Sequence, residues 1–131
     1  MKSDIEIREI LYKVIKGSAL EKAVSGKLYK TERPTNSGVE DIVISILDGL
    51  NGQIQDAVIN VNIYVQDAKR GTDIVENEPR IRELSRLAIL LLEEVDDGDY
   101  HFEIEKQKCF KVNGVDEHCI NNRIKLKITN F

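Results

Sequence analysis

Residues 57–65 decide the fold: they read Ala-Val-Ile-Asn-Val-Asn-Ile-Tyr-Val, so that apolar and polar side chains alternate along the chain. Successive side chains of a strand point to opposite faces of its sheet, and this alternation therefore predicts a strand with one buried face. The residues of the predicted buried face are Ile59, Val61, Ile63 and Val65. The residues of the opposite face are Asn60, Asn62 and Tyr64. The β-branched run 41–47 ends at Asp48-Gly49, and it predicts that the two runs form an antiparallel hairpin.

Helical patterns lie on both sides of this hairpin. Ser3 and Glu6 stand three residues apart and predict a capping box at the start of an N-terminal helix. After Asn77, apolar side chains recur at helical spacing to about Val95, which predicts one long central helix. A short strand at residues 26–29 completes the prediction. The fold is expected to be α+β, with an antiparallel sheet of two hairpins and this strand packed against both helices.

The closing hairpin, from residue 102 to residue 128, predicts its own register. Its apolar residues are even-numbered on both strands, so they face each other only if the numbers of paired residues sum to an even value. A two-residue turn at Asn113-Gly114 gives an odd sum, which requires an odd-sized loop or a bulge. A sum of 228 gives two apolar pairs, Phe102–Leu126 and Ile104–Ile124. The same sum gives four outer pairs, Glu103–Lys125, Glu105–Arg123, Lys111–Glu117 and Cys109–Cys119.

Composition limits the classes of protein to which the chain can belong. Its 131 residues fit a single domain, 1–131, with 41% hydrophobic and 32% charged residues. The 23 acidic residues outnumber the 19 basic ones, which argues against a tight nucleic-acid-binding protein. No apolar run approaches the roughly 18–20 residues that cross a membrane, and the first residues are too polar for a secretion signal. We therefore expect a protein that is not secreted and that binds neither a membrane nor a specific nucleic acid.

The strand segment 101–105 is a candidate for metal chemistry. It places the imidazole of His101 and the carboxylates of Glu103 and Glu105 on one face, where they could bind a divalent ion. In the register above, however, Lys125 and Arg123 lie opposite the two carboxylates. Opposite charges on neighbouring strands favour solvated ion pairs, so this interpretation is preferred to a metal site.

Two further groups are weighed for catalysis. Cys109 and Cys119 are expected to be reduced in the cytoplasm, although their pairing leaves a disulfide open. His118 points away from its neighbour Cys119, so no Cys/His pair is predicted. The triplet Asp67-Ala68-Lys69 is typical of metal-dependent nucleases, in which the acid holds the ion and the lysine positions the nucleophile, but such triplets are common by chance. The sequence thus predicts no enzyme, no catalytic residue, no cofactor and no metal, with a nuclease as a remote alternative.

Four short stretches follow one another between the N-terminal helix and the closing hairpin. They are Gly26-Lys27-Leu28-Tyr29, Arg33-Pro34, Glu40-Asp41-Ile42-Val43-Ile44 and Val61-Asn62-Ile63-Tyr64-Val65, and the helix from Arg80 follows them. Over nearly the whole chain, this order resembles that of the tail-completion and tail-terminator proteins of long-tailed phages, in a prophage-like form.

The resemblance implies a non-enzymatic subunit that forms a ring, commonly a hexamer, caps the tail tube and meets the head connector, in the virion or the host cytoplasm. A head-to-tail ring needs two different surfaces on each subunit. The sheet edges and the polar segment 66–76, which is predicted to be a mobile loop, are candidates. The candidate interface residues are Asn60, Asn62, Tyr64, Asp67, Lys69 and Arg70. Another neck or virion component, and a protein-binding module unrelated to phages, are the alternatives.

Overall fold

The computed structural model describes residues 3–48 and 56–128. Three helices and eight strands follow one another along these residues. The helices are α1 (Asp4–Ile15), α2 (Ala19–Ala23) and α3 (Glu78–Leu92). The strands are β1 (Leu28–Tyr29), β2 (Ile42–Asp48), β3 (Asp56–Gln66), β4 (Ala68–Arg70), β5 (Asp73–Val75), β6 (Glu94–Asp96), β7 (Tyr100–Lys111) and β8 (Glu117–Ile128).

Six of the strands form a curled sheet in the order β1-β2-β3-β8-β7-β6, and with the three helices they make a mixed α+β fold. The sheet differs from the predicted one in two ways. β1 runs parallel to β2, whereas the other neighbours are antiparallel. β6 also adds a strand beyond the closing hairpin. The predicted turn at Asp48-Gly49 extends beyond residue 48 and lies outside the described residues.

The helical predictions are right at the N-terminus and need correction at α3. In the predicted capping box, the Ser3 hydroxyl accepts a hydrogen bond from the Glu6 N–H at 3.3 Å, and the Glu6 carboxylate accepts from the Ser3 N–H at 3.0 Å. α3 has 15 residues against 12 in α1, so the prediction of one long central helix is not confirmed. It ends at Leu92, and Val95 lies in β6 opposite Phe102. The acidic residues that follow Leu92 are unfavourable at a helix C-terminus because of the helix dipole.

The segment 66–76 is mostly a small hairpin and not the predicted loop. β4 pairs with β5 in a separate two-stranded sheet. The two turn residues lie between Arg70 and Asp73, which pair with each other, and Gly71 takes a positive φ of 66°. A two-residue hairpin turn favours glycine at this position. Gly71-Thr72 was therefore the sequence signal for this hairpin, in a segment whose polar composition indicated a loop.

In the closing hairpin, the predicted register is right as far as residue 104 and wrong beyond it. The confirmed pairs are Phe102–Leu126, Glu103–Lys125 and Ile104–Ile124. A bulge between Ile104 and Lys106 then shifts the register by one residue. The resulting pairs include Lys106–Arg123, Gln107–Asn122, Cys109–Ile120, Phe110–Cys119 and Lys111–His118. The predicted pairs Lys111–Glu117 and Cys109–Cys119 are therefore wrong. The bulge also takes Glu105 out of register with Arg123, but the predicted ion pair between their side chains is present at 3.7 Å.

The buried environment explains where the bulge lies. Without the bulge, the predicted register, in which paired residue numbers sum to 228, would continue past Ile104. It would turn Lys106 and Lys108 towards the buried side of the sheet, against Asn122 and Ile120. Burial of an unpaired lysine is costly. The shift turns Gln107 inwards instead, and its amide nitrogen donates to the Asn122 side-chain oxygen at 2.7 Å. The bulge therefore keeps both lysines off the face of the sheet that the helices cover.

All three helices pack on one face of the six-stranded sheet. Burial alternates along β3, where the odd-numbered residues are buried, and the even-numbered residues of β8 continue the same face. The helix residues of this core include Leu11, Ile15, Leu20, Leu84, Ala88 and Leu92. The strand residues include Ile42, Ile44, Ile59, Val61, Ile63, Phe102, Ile120, Ile124 and Leu126. The opposite face, called the outer face below, carries no helix among residues 3–48 and 56–128.

β1 joins the sheet through a close backbone contact. The Gly26 N–H donates to the Glu40 carbonyl at 2.6 Å. A Cβ atom at position 26 would lie 2.1 Å from Asp41 Oδ1 and 2.3 Å from the Glu40 carbonyl oxygen, so only glycine fits. Arg80 of α3 then pairs with both Glu40 carboxylate oxygens at 2.6 Å, which ties the helix to the start of β2.

Candidate interaction surface

The candidate residues of β3 lie together on the outer face. Asn60, Asn62 and Tyr64 alternate with buried residues and are themselves half-buried. Asn121 of β8 joins two of them, because its side-chain nitrogen donates to Asn62 Oδ1 at 2.7 Å and to Asn60 Oδ1 at 3.2 Å. The three amides thus form a row of fixed hydrogen-bonding groups. Such a row is suited to contact with polar groups of another protein.

Arg33, from the loop between β1 and β2, closes one end of the outer face. Its guanidinium lies over the Tyr64 ring, 4.2 Å from the centroid. Nε donates to Asp41 Oδ2 and Nη1 donates to Glu117 Oε1, each at 3.0 Å. The Asp41 side chain is 0% exposed and that of Glu117 is 7% exposed, so both carboxylates depend on this cation. Arg33 is therefore committed to holding Tyr64 and the two acids in place.

A groove of about 390 Å³ opens beside Arg33. Its lining includes Pro34, Asn36, Tyr64, Gln66, Val115 and Glu117. Burial is the main cause that raises the pKa of the Tyr64 phenol, which therefore stays protonated as a hydrogen-bond donor. The Gln66 amide nitrogen donates to the Glu117 carboxylate at 2.8 Å. Glu117 is thus already engaged by Gln66 and Arg33, and the groove offers binding contacts more readily than an acid–base pair.

Asp67 does not share the outer face with Tyr64. Its Oδ1 lies 2.7 Å from His118 Nδ1, and its Oδ2 accepts from Lys111 Nζ at 2.9 Å. Burial raises the pKa of the Asp67 carboxyl, but the hydrogen bonds from Lys111 and His118 outweigh this effect and hold the pKa below its ordinary value. The side chain is 3% exposed. An acid that is buried and paired in this way links β3 to the closing hairpin and is poorly placed for a nuclease metal.

The last two candidate residues, Lys69 and Arg70, are exposed on β4. They lie opposite Ile74 and Asp73 of β5, in the small separate sheet. The six candidate residues therefore occupy three places, and the structure brings only Asn60, Asn62 and Tyr64 together. Their role in an interface stays a prediction.

The half of the outer face nearest β7 carries five bases together with Glu103 and Glu105, and the sequence analysis missed the positions of Lys106 and Lys108 on it. Because of the bulge, Lys106, Lys108 and Phe110 share this face, whereas the predicted register placed Phe110 in the core. Phe110 is 50% exposed. The basic neighbours on β8 are Arg123, Lys125 and Lys127. Alternating lysines in the run 106–111 are typical of an edge strand and were the available signal.

Neither thiol is activated for nucleophilic chemistry. Burial is the main cause that raises the pKa of Cys119 to about 12. Burial, followed by the carboxylates of Glu76 and Asp67, also raises the pKa of Cys109. Both cysteines are free, and they lie on opposite faces of the hairpin. Protonated thiols are weak nucleophiles, so the pair carries no catalytic signature.

The metal candidates of the strand segment 101–105 lie beside other charged groups. His101 Nδ1 lies 3.9 Å from Asp96 Oδ2, and Glu103 lies opposite Lys125. Within residues 3–48 and 56–128, no group of three or more His, Cys, Asp or Glu side chains is arranged to hold a metal ion. No helix in this part of the chain is long and apolar enough to cross a membrane.

Comparison of the chain with models of protein families and with curated proteins gives no match. The resemblance to tail-completion proteins therefore stays a hypothesis. The surfaces described above carry the functional argument, and they consist of fixed polar groups, exposed aromatic and basic side chains, and no assembled catalytic cluster among the described residues.

Proposed function

We propose that this chain is a phage or prophage tail-completion subunit, a structural protein that self-assembles into a ring and joins the tail tube to the head connector. The observation that carries the proposal is the outer face. All three helices pack on the other side of the sheet, so this face is held rigidly and is open to a protein partner. The order of elements along the chain supports the specific phage assignment.

The chemistry of the outer face favours a protein partner. Tyr64 is fixed by Arg33, and Phe110 is half exposed. Aromatic residues and arginine are enriched at the centres of protein interfaces, where rigid side chains contribute area at little entropic cost. The asparagine row adds donors and acceptors that matching polar groups of a partner can satisfy. A partner of defined shape therefore fits this face better than a small substrate does.

Charge is distributed unevenly on the subunit, which supports association between copies. The whole chain carries a formal charge of −4, yet β7 and β8 place a group of bases on the outer face. These bases are Lys106, Lys108, Arg123, Lys125 and Lys127. The acids between the end of α3 and the start of β7 are Glu93, Glu94, Asp96, Asp97 and Asp99. Opposite charges on neighbouring strands of one subunit can attract those of a second copy and fix the register between the two copies.

The test is the mass in solution, measured by light scattering on a sizing column across a wide concentration range. A discrete ring-sized species is expected for the wild-type chain. Asn62→Arg is expected to reduce ring formation, because it breaks the amide row and adds a cation to the outer face. Leu90→Arg adds the same charge at an exposed position of α3, on the other side of the sheet, and provides the control. A strict monomer that also fails to cap purified tail tubes would remove the proposal.

A further inference from the structure

The edge of the six-stranded sheet at β7 is a step. β6 pairs with β7 only through residues 101–103, whereas β7 continues to Lys111. Among the described residues, no strand pairs with this side of β7 between Glu105 and Lys111, which we call the free edge. The Gln107 side chain is half-buried beneath the sheet, and the other six residues of the free edge are exposed. An unpaired edge of this length is a template for another strand.

The backbone groups available on the free edge can be identified from the hydrogen bonds around it. The Ile104 N–H donates to the Glu93 carbonyl, so it points away from β8, whereas the Val112 N–H donates to Glu117 and points towards β8. Backbone groups alternate in direction along an antiparallel strand, and the bulge adds one residue to the count. The N–H and C=O groups of Gln107, Cys109 and Lys111 therefore point outwards.

β6 presents the matching groups on its own outer side. Glu93 and Val95 direct their backbone groups to β7, so those of Glu94 and Asp96 point outwards. The side chains of Glu94 and Asp96 share the outer face, since these residues pair with Glu103 and His101. The β6 strand thus offers both backbone partners and two acids that are spaced two residues apart.

We propose that the free edge of one copy receives β6 of a second copy, so that the two sheets join through a reciprocal pair of contacts. The two copies are related by a two-fold rotation about an axis normal to the sheet. This rotation places β6 of each copy beside the free edge of the other copy, where it runs parallel to that copy's β7. Both outer faces then lie on the same side. In this register, the acids at 94 and 96 of one copy lie beside Lys106 and Lys108 of the other.

Charge selects this occupant over a second β7 edge. The free edge carries the cations Lys106 and Lys108, while the charge of Lys111 is paired with Asp67. Its one acid, Glu105, lies 3.7 Å from Arg123. Two such edges side by side would repel each other, whereas β6 supplies opposite charges at the matching two-residue spacing. The inference goes beyond the proposed function, because the contact holds whether or not the copies also close into a ring.

The experiment compares dissociation constants by sedimentation at low and high salt. At concentrations below those at which a ring closes, the wild-type chain is expected to dimerise through this edge, and more weakly at high salt because the paired charges are exposed. The variant Lys106→Glu/Lys108→Glu and the variant Glu94→Lys/Asp96→Lys are each expected to dimerise about a hundredfold more weakly, since four ion pairs become repulsive. An equimolar mixture of the two variants is expected to form heterodimers, because each variant supplies the charges that the other lacks.

Two matched controls separate the edge from general charge and folding effects. Lys125→Glu/Lys127→Glu makes the same charge change on β8, away from the free edge, and is expected to leave the dimer intact. Cys109→Pro removes an outward N–H without removing a bond to β8, and is expected to abolish the dimer, whereas Cys109→Ala retains it.

Three outcomes would overturn the contact. They are a wild-type chain that stays monomeric at high concentration, reversal variants that keep the wild-type mass, and a mixture that stays monomeric. A ring-sized species that ignores every edge substitution would overturn the edge contact but leave the proposed function standing. A dimer that fails to cap tail tubes would overturn the proposed function but leave the edge contact standing.

Discussion

Replacing Arg33 by methionine removes the one cation that two buried carboxylates share, while keeping an unbranched side chain against Tyr64. Loss of one partner from a buried ion pair costs about 3–5 kcal/mol. Hydrogen bonds that remain reduce this penalty, since Asp41 still accepts from the Ser37 hydroxyl at 2.5 Å and Glu117 still accepts from Gln66 at 2.8 Å. Loss of the cation–π contact with Tyr64 increases the penalty by about 0.5–1 kcal/mol. We therefore expect a net loss of about 3 kcal/mol, a large share of the roughly 5–15 kcal/mol that stabilises a typical domain.

The assay is urea unfolding at pH 7, followed by circular dichroism, in a double-mutant cycle with Glu117→Gln. Arg33→Met is expected to cost about 3 kcal/mol, and Glu117→Gln to cost less alone. Since the double variant has one fewer uncompensated charge, its cost should fall at least 1 kcal/mol below the sum of the single costs, as for other coupled neighbours. A loss below about 1 kcal/mol for Arg33→Met, or strict additivity in the cycle, would refute the reasoning that Arg33 neutralises both acids.

Three further substitutions test the fold at separate places. Gly26→Ala is expected to cost about 3 kcal/mol or more in urea unfolding, because its Cβ would lie 2.1 Å from Asp41 Oδ1, whereas Gly71→Ala, with open space but a positive φ, should cost about 1–2 kcal/mol. Asp67→Asn is expected to lower the free energy of unfolding at pH 7. Because the folded-state pKa of Asp67 is lowered, this loss relative to wild type should persist down to about pH 4 and shrink as the pH falls through that pKa. Unfolding curves measured across this pH range would show it. Asn122→Ala, which removes buried hydrogen bonds of 3.1 and 2.7 Å to β3 and β7, should lower the free energy of unfolding by about 1–3 kcal/mol, and a loss below 0.5 kcal/mol would contradict that role.

Local patterns were sufficient for parts of this fold because they depend on neighbours in sequence. The alternation in β3 identified both faces of the central strand, and the Ser3–Glu6 spacing identified the capping box. The parity of apolar residues required an odd loop or a bulge in the closing hairpin, and the structure contains a bulge. Each of these inferences rests on geometry that a single segment, or two strands joined by one turn, fixes by itself.

Other features depend on contacts between distant segments, and the sequence pattern could not supply them. The position of the bulge is set by Gln107, which meets the buried Asn122 and also donates to the Ser85 carbonyl of α3 at 3.2 Å. The position of the Arg33 guanidinium depends on Asp41 and Glu117, which come from different parts of the chain. The short strands β4, β5 and β6 have three residues each, too few for a periodic signal.

The lysines of the free edge have a second physical explanation, which makes a different prediction. Charged side chains protect unpaired edges from indiscriminate strand addition, and the bulge that keeps Lys106 and Lys108 out of the core also places them on this edge. If protection is their only role, Lys106→Gln/Lys108→Gln should increase association, seen as aggregates without a defined mass. If they bind β6 of a second copy, the same neutral variant should shift the dimer towards monomer, because it loses attraction without gaining repulsion. Light scattering separates the two outcomes, and growth of polydisperse aggregates would leave the edge with a protective role alone.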